Sequence, residues 1–530
     1  MLPPACRPAL CLTALVVALV TASSGGCASS PKARNAESVA KRRQPTYSHQ
    51  LGAHIDALLK AQDPCLHLGV QVMALADQKI IYDRRGSERF VPASTVKVLT
   101  ASAALSVLGP NYRFPTQLLL DNVDAATGTA RTLYIRGSGD PTLEVGDLAA
   151  LASALKQGGI SQITGEIVID DTDFDAVPWA QGWMWDDLEN SFSAPVWGLN
   201  VAGNTLALWL MPGMSKNAPA RLLQVPEAPG YVFISNASVT TAAKAPSALK
   251  VVAQEPDVGV VGPPTPSGAP VAGPVVVALA QGQEISVTGT VSLDSAVKLK
   301  AFAIRDPVAW AGTLLRAELR KAGVQAPVAL RRGAVSATAV PVALHESAAL
   351  GVLLPQFVKA SNNHAMECVL KRVSVAAYGA PGTFAGGTQA VRRYLSDSLG
   401  LVSEGMKLAD GSGASRYNLV TPAQLTHALC AQARAFALGP EFVASLPVAG
   451  LDGTLARRFV GSPLQGRVRA KTGTMTGISS LAGLMEADDG DILCFAIMMD
   501  GALGHGEALR RLQDGIVTLV GQRAERMAEP

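Results

Sequence analysis

The stretch Phe90-Val91-Pro92-Ala93-Ser94-Thr95-Val96-Lys97-Val98-Leu99-Thr100 decides how this chain is read. The apolar run from Val98 to Leu108, stopped by Gly109-Pro110, predicts a helix with Ser94 at its head. Lys97 then lies one turn after Ser94 on the same face, within reach of the serine oxygen. A serine hydroxyl is a poor nucleophile until a base takes its proton. Lys97 can be that base only while neutral, a state favoured by burial and by a second cation such as Lys471. The helix N-terminus also favours developing negative charge.

Two further pieces complete a site. Ser361-Asn362-Asn363 forms a polar knot between the apolar run Leu350 to Val358 and an amphipathic run after His364. Ser361 is suited to relay a proton between a leaving amine and Lys97, and Asn363 to hold a substrate amide. A helix cap made by the same three residues is the plain structural alternative. Lys471-Thr472-Gly473 lies in a strand-like run, Val468 to Glu486, where glycine would let a substrate backbone approach. Lys471 and Thr472 would present a cation and a hydroxyl to a carboxylate. The backbone N–H groups of Ser94 and Thr474 would form an oxyanion hole. S-x-x-K recurs elsewhere, for instance at Ser29, Ser38, Ser247 and Ser295, and S-x-N recurs at Ser215. Only Ser94, Ser361 and Lys471 fall in an order and setting that build one site.

Composition excludes several classes. Of 530 residues, 48% are apolar and 16% charged, with a formal net charge of +3. Such a chain has ample core and no basic stripe for nucleic acid. None of the seven cysteines has C-x-x-C spacing, and the seven histidines form no H-E-x-x-H. His364 with Glu367 is the closest approach and reads as surface or packing, so no metal and no cofactor are expected. Asp410-Gly411-Ser412-Gly413 and Arg136-Gly137-Ser138-Gly139-Asp140 read as turns, because neither has a phosphate-loop pattern.

Arg7 and the apolar stretch Ala9 to Ala22 read as an export signal over residues 1–27, too short to span a bilayer comfortably. Ser23-Ser24-Gly25-Gly26-Cys27 offers a lipidation site at Cys27, hence a membrane tether; ordinary cleavage nearby is the alternative. Residues 28–46 then form a polar tether. A helical period over Tyr47 to Ala61 precedes a hairpin of Leu68 to Leu75 with Lys79 to Tyr82. A strand pair ending at Met499 and a helix from Glu507 to Arg523 close the chain. Between Ser94 and Ser361, 267 residues intervene, with strand-like runs at Arg131 to Arg136, Gly165 to Asp170, Thr205 to Leu210 and Glu284 to Leu293, and a Pro/Gly-rich stretch near Glu255 to Gly273. This interval reads as a large β-rich insert.

The trio of motifs is the signature of serine β-lactamases and penicillin-binding proteins. More specifically, Asp410 to Pro422 (DGSGASRYNLVTP), Arg469 to Thr474 (RAKTGT) and Trp185 to Pro195 (WDDLENSFSAP) resemble the D-Ala-D-Ala carboxypeptidase/endopeptidase family, the low-molecular-mass class C penicillin-binding proteins. The resemblance implies an α/β penicillin-binding, serine β-lactamase-like transpeptidase domain, an antiparallel sheet with helices, over 47–115 and 345–530. It implies an insert of two nested domains: domain II over 116–210 and 285–344, domain III over 211–284. It further implies periplasmic hydrolysis of peptidoglycan stem peptides and cross-links, with β-lactams as inhibitors. Ser94 would be the acylated nucleophile, Lys97 the base, Ser361 and Asn363 the second motif, and Lys471 and Thr472 the carboxylate holders. A clamp for a diaminopimelate side chain would use Asp186, or Asp187 one position on, with Arg416; Ser412 would donate to the same end and Trp183 and Met475 would be apolar walls. Ala414 stands where some relatives carry a larger apolar residue, so that pocket would be looser. A β-lactamase would need an efficient deacylating water, and a penicillin sensor would not need the proton relay.

Overall fold

Ile492-Leu-Cys-Phe-Ala-Ile-Met-Met-Asp500 shows no polar alternation, as expected of a strand covered on both faces. In the computed structural model it is the central strand of a five-stranded antiparallel sheet, ordered Val468–Met475, Ile478–Glu486, Ile492–Asp500, His67–Ala74, Ile80–Arg84. The structure describes residues 50–60, 65–227, 230–254, 283–501 and 506–522. The expected signal, the tether, Cys27 and the Glu255 to Gly273 stretch lie outside them. Among the described residues no helix is long and apolar enough to cross a membrane.

The first and last described helices meet on one face of this sheet: the helix Gly506–Gly521 packs on Ile478–Glu486, and Gly515 lies close to Leu58 of the helix over 50–59. On the other face lies the helix Pro422–Arg434, packed on Ile492–Asp500, His67–Ala74 and Ile478–Glu486. The helix Val96–Val107 follows a 3-10 turn, Ala93–Thr95, and is buried from Val96 to Leu105. Apolar on every side, it becomes the centre of an all-helical layer with Leu350–Ala360, Asn363–Tyr378, Phe384–Asp397, Pro422–Arg434 and Gly439–Ser445. One contiguous core joins these helices to the sheet.

The interval between the first two motifs has its own core, drawn from residues between Leu118 and Ala343. A mixed five-stranded sheet is ordered Leu330–Arg332, Gln162–Asp170, Thr129–Gly137, Pro115–Asp124, Val340–Glu346, with the helix Val145–Gln157 crossing between two parallel neighbours. The helix Pro307–Lys321 packs beside that crossover helix. Two three-stranded sheets follow: Val297–Ala303, Thr205–Met211, Arg221–Val225, and Val232–Thr241, Gln283–Ser292, Ala248–Gln254.

Candidate active site

The turn that carries Ser94 is built against the edge strand of the five-stranded antiparallel sheet. Ala93 is held at φ +47°, a costly conformation for a residue with a Cβ. The turn around it is pinned at Pro92, whose carbonyl accepts from Thr95 Oγ1 at 2.7 Å and from Ser480 Oγ at 2.6 Å. Gly473 explains its own identity here: a Cβ would fall 2.1 Å from Ser480 Oγ and 2.7 Å from the Pro92 carbonyl oxygen. The clearance that glycine gives therefore goes to the turn that carries Ser94. Gly413, at φ +83°, abuts the same turn from the opposite side, against the Ala93 carbonyl.

Lys97 is fully buried, and its Nζ lies 2.9 Å from Ser94 Oγ, 2.7 Å from Asn363 Oδ1 and 2.6 Å from the Ser412 carbonyl oxygen. Burial pushes its pKa down to about 7, against the Asp410 and Glu367 carboxylates, which favour the charged form. The geometry fits a neutral amine. Asn363 Oδ1 and the Ser412 carbonyl can take two N–H groups of a neutral amine, and the third direction of the nitrogen faces Ser94 Oγ.

Ser361 ends the helix Leu350–Ala360 in the left-handed conformation, φ +58°, and so turns the chain into the helix Asn363–Tyr378. Asn362 caps that helix, accepting from Ala365 N at 3.0 Å, while Asn363 serves the site. The helix cap read from the sequence is therefore present, and the same turn brings Asn363 to Lys97. Both ends of the Asn363 amide have partners, Oδ1 the Lys97 amine and Nδ2 the Phe192 carbonyl at 3.1 Å.

Lys471 is buried in the edge strand, donates to the Thr472 carbonyl at 2.8 Å, and has its pKa lowered by burial and by Lys97. The outward direction of this strand is fixed by Ala470 N, which donates to the Pro447 carbonyl, and by the Val468 carbonyl, which accepts from Ala449 N. With a period of two, the Thr472 and Thr474 N–H groups face the same way, off the sheet edge.

A cleft of about 270 Å³ opens beside Ser94, lined among others by Trp183, Asp187, Asn363, Arg416, Thr474 and Met475, with Ala414 also on its wall. Asp187, not Asp186, faces this cleft; Asp186 is exposed to solvent. The two lie in the 3-10 turn Trp185–Asp187, where each residue rotates a third of a turn from the last, so one step in register changes the side. Arg416 donates to the Thr476 carbonyl at 2.9 Å, which anchors its guanidinium at the cleft. Trp183 donates through Nε1 to Asp410 Oδ2 at 3.0 Å. Ser412 is fully buried, so the site receives its carbonyl and the hydroxyl does not reach the side-chain pocket.

Sequence reasoning missed Glu367. It is not on the surface: its carboxylate is fully buried and accepts from Gly411 N and Ser412 N, the latter at 2.7 Å. Asp410 pins the other end of the same turn, accepting from Gly413 N at 2.8 Å and Ser415 N at 2.6 Å. Burial raises the pKa of both carboxyls. Together they fix the Ser412 carbonyl that orients Lys97. The one available signal was position, since Glu367 stands one helical turn after Asn363 on the same face. His364 points elsewhere, to Asn200 Oδ1 at 3.2 Å, and burial pushes its pKa down to about 4.

A serine at a helix head, a buried lysine amine on its oxygen and a cation-bearing edge strand are parts suited to a serine-type hydrolase. The D-Ala-D-Ala carboxypeptidase 3 (S13) family model matches residues 51–260 and 264–523. The chain is 34% identical over 496 residues to the D-alanyl-D-alanine carboxypeptidase of Actinomadura sp. (strain R39), covering 90% of this chain and 86% of that protein. It is 28% identical over 460 residues to a D-alanyl-D-alanine carboxypeptidase of Haemophilus influenzae, covering 82% and 85%. The crystal structure of penicillin binding protein 4 from Haemophilus influenzae matches with a TM-score of 0.73 at 26% identity, over 88% of this chain and 99% of that one. The chain belongs to the S13 family of serine-type peptidases and has the penicillin-binding α/β fold.

Proposed function

We propose that this protein is a D-Ala-D-Ala carboxypeptidase and D-alanyl-diaminopimelate endopeptidase. It acts on peptidoglycan stem peptides and cross-links outside the cytoplasm, through an acyl-enzyme on Ser94. The observation that carries this reading is the Lys97 amine, buried and held between Ser94 Oγ and two acceptors. Neutral Lys97 takes the serine proton as Ser94 Oγ attacks the carbonyl of the penultimate D-alanine. The oxyanion lies between the N–H groups of Ser94 and Thr474, where charge develops against preorganised donors. The proton passes from Lys97, by way of Ser361, to the leaving amine, and the C–N bond breaks. Water then hydrolyses the ester with Lys97 again as base.

The substrate's terminal carboxylate would lie on Thr472 and Lys471. Two buried lysines disfavour each other's charge, so an arriving carboxylate stabilises the ammonium on Lys471 and leaves Lys97 the neutral partner. Asp187 and Arg416, one anion and one cation on the same cleft, suit the ammonium and carboxylate that end a diaminopimelate side chain. A β-lactam offers the same carbonyl and carboxylate and would acylate Ser94. Lipidation of Cys27 would hold the enzyme at a membrane. Digestion of purified cross-linked sacculi, read by mass, tests the reading: free D-alanine and shortened stems mark carboxypeptidase action, and loss of dimeric muropeptides marks endopeptidase action. Sacculi left unchanged by enzyme that nitrocefin shows to be acylated would reject it.

A further inference from the structure

One loop outside the three motifs touches the third of them where a substrate carboxylate would lie. Lys471-Thr472-Gly473 is on the edge strand of the sheet, and the 3-10 turn Gly453–Leu455 packs against it. The Thr454 and Thr472 hydroxyl oxygens are 2.8 Å apart, Thr454 exposed and Thr472 half-buried, so both are open to a ligand. This loop is held at both ends of its reach. Asp452 accepts from Lys359 Nζ at 2.6 Å and from Val448 N at 2.8 Å. Gly453, at φ +55°, lies so close to the Lys359 carbonyl that a Cβ would stand 2.8 Å from its oxygen. Lys359 is in the last turn of the helix that ends at Ser361. A single short segment, Asp452-Gly453-Thr454, therefore ties the helix carrying the second motif to the strand carrying the third.

We infer that Thr454 is a positioning residue of the carboxylate subsite, holding the Thr472 hydroxyl in the orientation that receives the substrate's terminal carboxylate. The inference rests on the reading of Lys471 and Thr472 as the carboxylate holders. A threonine hydroxyl has one proton to give and lone pairs to receive. Thr472 donates to Thr454 in the structure; when a carboxylate arrives, the Thr472 O–H turns to donate to it, and the Thr472 oxygen then accepts from Thr454. Each bond in such a chain polarises the next, and the terminal bond to a carboxylate is charge-assisted. Lys471 Nζ fixes the backbone of the same residue through the Thr472 carbonyl, so Thr472 is held at both its backbone and its hydroxyl.

The test uses the full-length enzyme with a D-Ala-D-Ala peptide as the free acid and as its C-terminal amide. Thr454→Val keeps the shape and removes the hydroxyl. It should lower kcat/KM for the free acid by about two- to tenfold, chiefly through KM, as expected when one neutral hydrogen bond behind the carboxylate contact is lost. The amide should fall by much less, and Thr454→Ser should restore the preference for the acid. An unchanged acid-to-amide ratio in Thr454→Val, with the wild-type preference for the acid intact, would overturn this inference alone, as would a serine variant that fails to restore it. A wild-type enzyme that cleaves both peptides equally would overturn the assignment of Lys471 and Thr472, and this inference with it.

Discussion

Lys97 has three partners around its amine, and only Ser94 among them has a proton to give. Its pKa near 7 sets the expected pH dependence. The base works when neutral, so acylation should fall about tenfold per pH unit below that value and level off above it. A kcat/KM profile flat from about pH 5 to 9 would show that another group takes the proton. At the far side of the cleft, Asp187→Asn or Arg416→Ala should cost ~1–3 kcal/mol in transition-state terms on diaminopimelate peptides. Penicillin acylation, which would not use that pair, should change little; equal losses on both substrates would make these residues part of the fold alone. At this scale, the meeting of Ser94, Lys97 and Asn363 could be expected from the sequence, because each lies in a short motif of fixed residue type and spacing. The carboxylate of Glu367 and the carbonyl of Ser412 could not, because they act through backbone groups across a chain separation of 45 residues. The choice between Asp186 and Asp187 depended on the phase of a 3-10 turn, which no sequence period reveals.

Among the elements, the turn that carries Ser94 is closely approached by two glycines, Gly413 at the Ala93 carbonyl and Gly473 at the Pro92 carbonyl. Gly473→Ala should displace either Ser480 or the Pro92 carbonyl, costing ~1–3 kcal/mol as an overpacked core site does, and should slow acylation more than it lowers Tm. Thermal unfolding beside acylation kinetics would check this; an alanine variant acylated at the normal rate would show that the turn tolerates the shift. The sheet strands and the helix heads were readable from apolar runs and from Gly109-Pro110. What Gly473 makes room for was not, since a glycine in a strand signals close approach without saying of what.

For the whole molecule, the described residues form one core under the motifs and another within the long interval between them. The division into a catalytic domain and two nested domains follows from the sequence resemblance, and it makes a prediction. Trp310, fully buried in the insert's core with Nε1 on the Val201 carbonyl, should cost ~3–5 kcal/mol when replaced by alanine. If the insert folds as separate domains, Trp310→Ala should shift only part of the unfolding transition and leave penicillin acylation near normal; a single transition that carries acylation down with it would contradict the division. The insert's β-rich character was visible in its strand-like runs, whereas the pairing of Val232–Thr241 with Gln283–Ser292 in parallel was not, because partners so distant in sequence share no local pattern. The central claim, that Ser94 forms the acyl-enzyme with Lys97 as its base, is tested most directly by peptide mass mapping after reaction with a labelled penicillin. The account predicts one adduct per chain, on the peptide containing Ser94, and none in Ser94→Ala. An adduct on Ser361, or undiminished labelling of the Ser94→Ala variant, would contradict it.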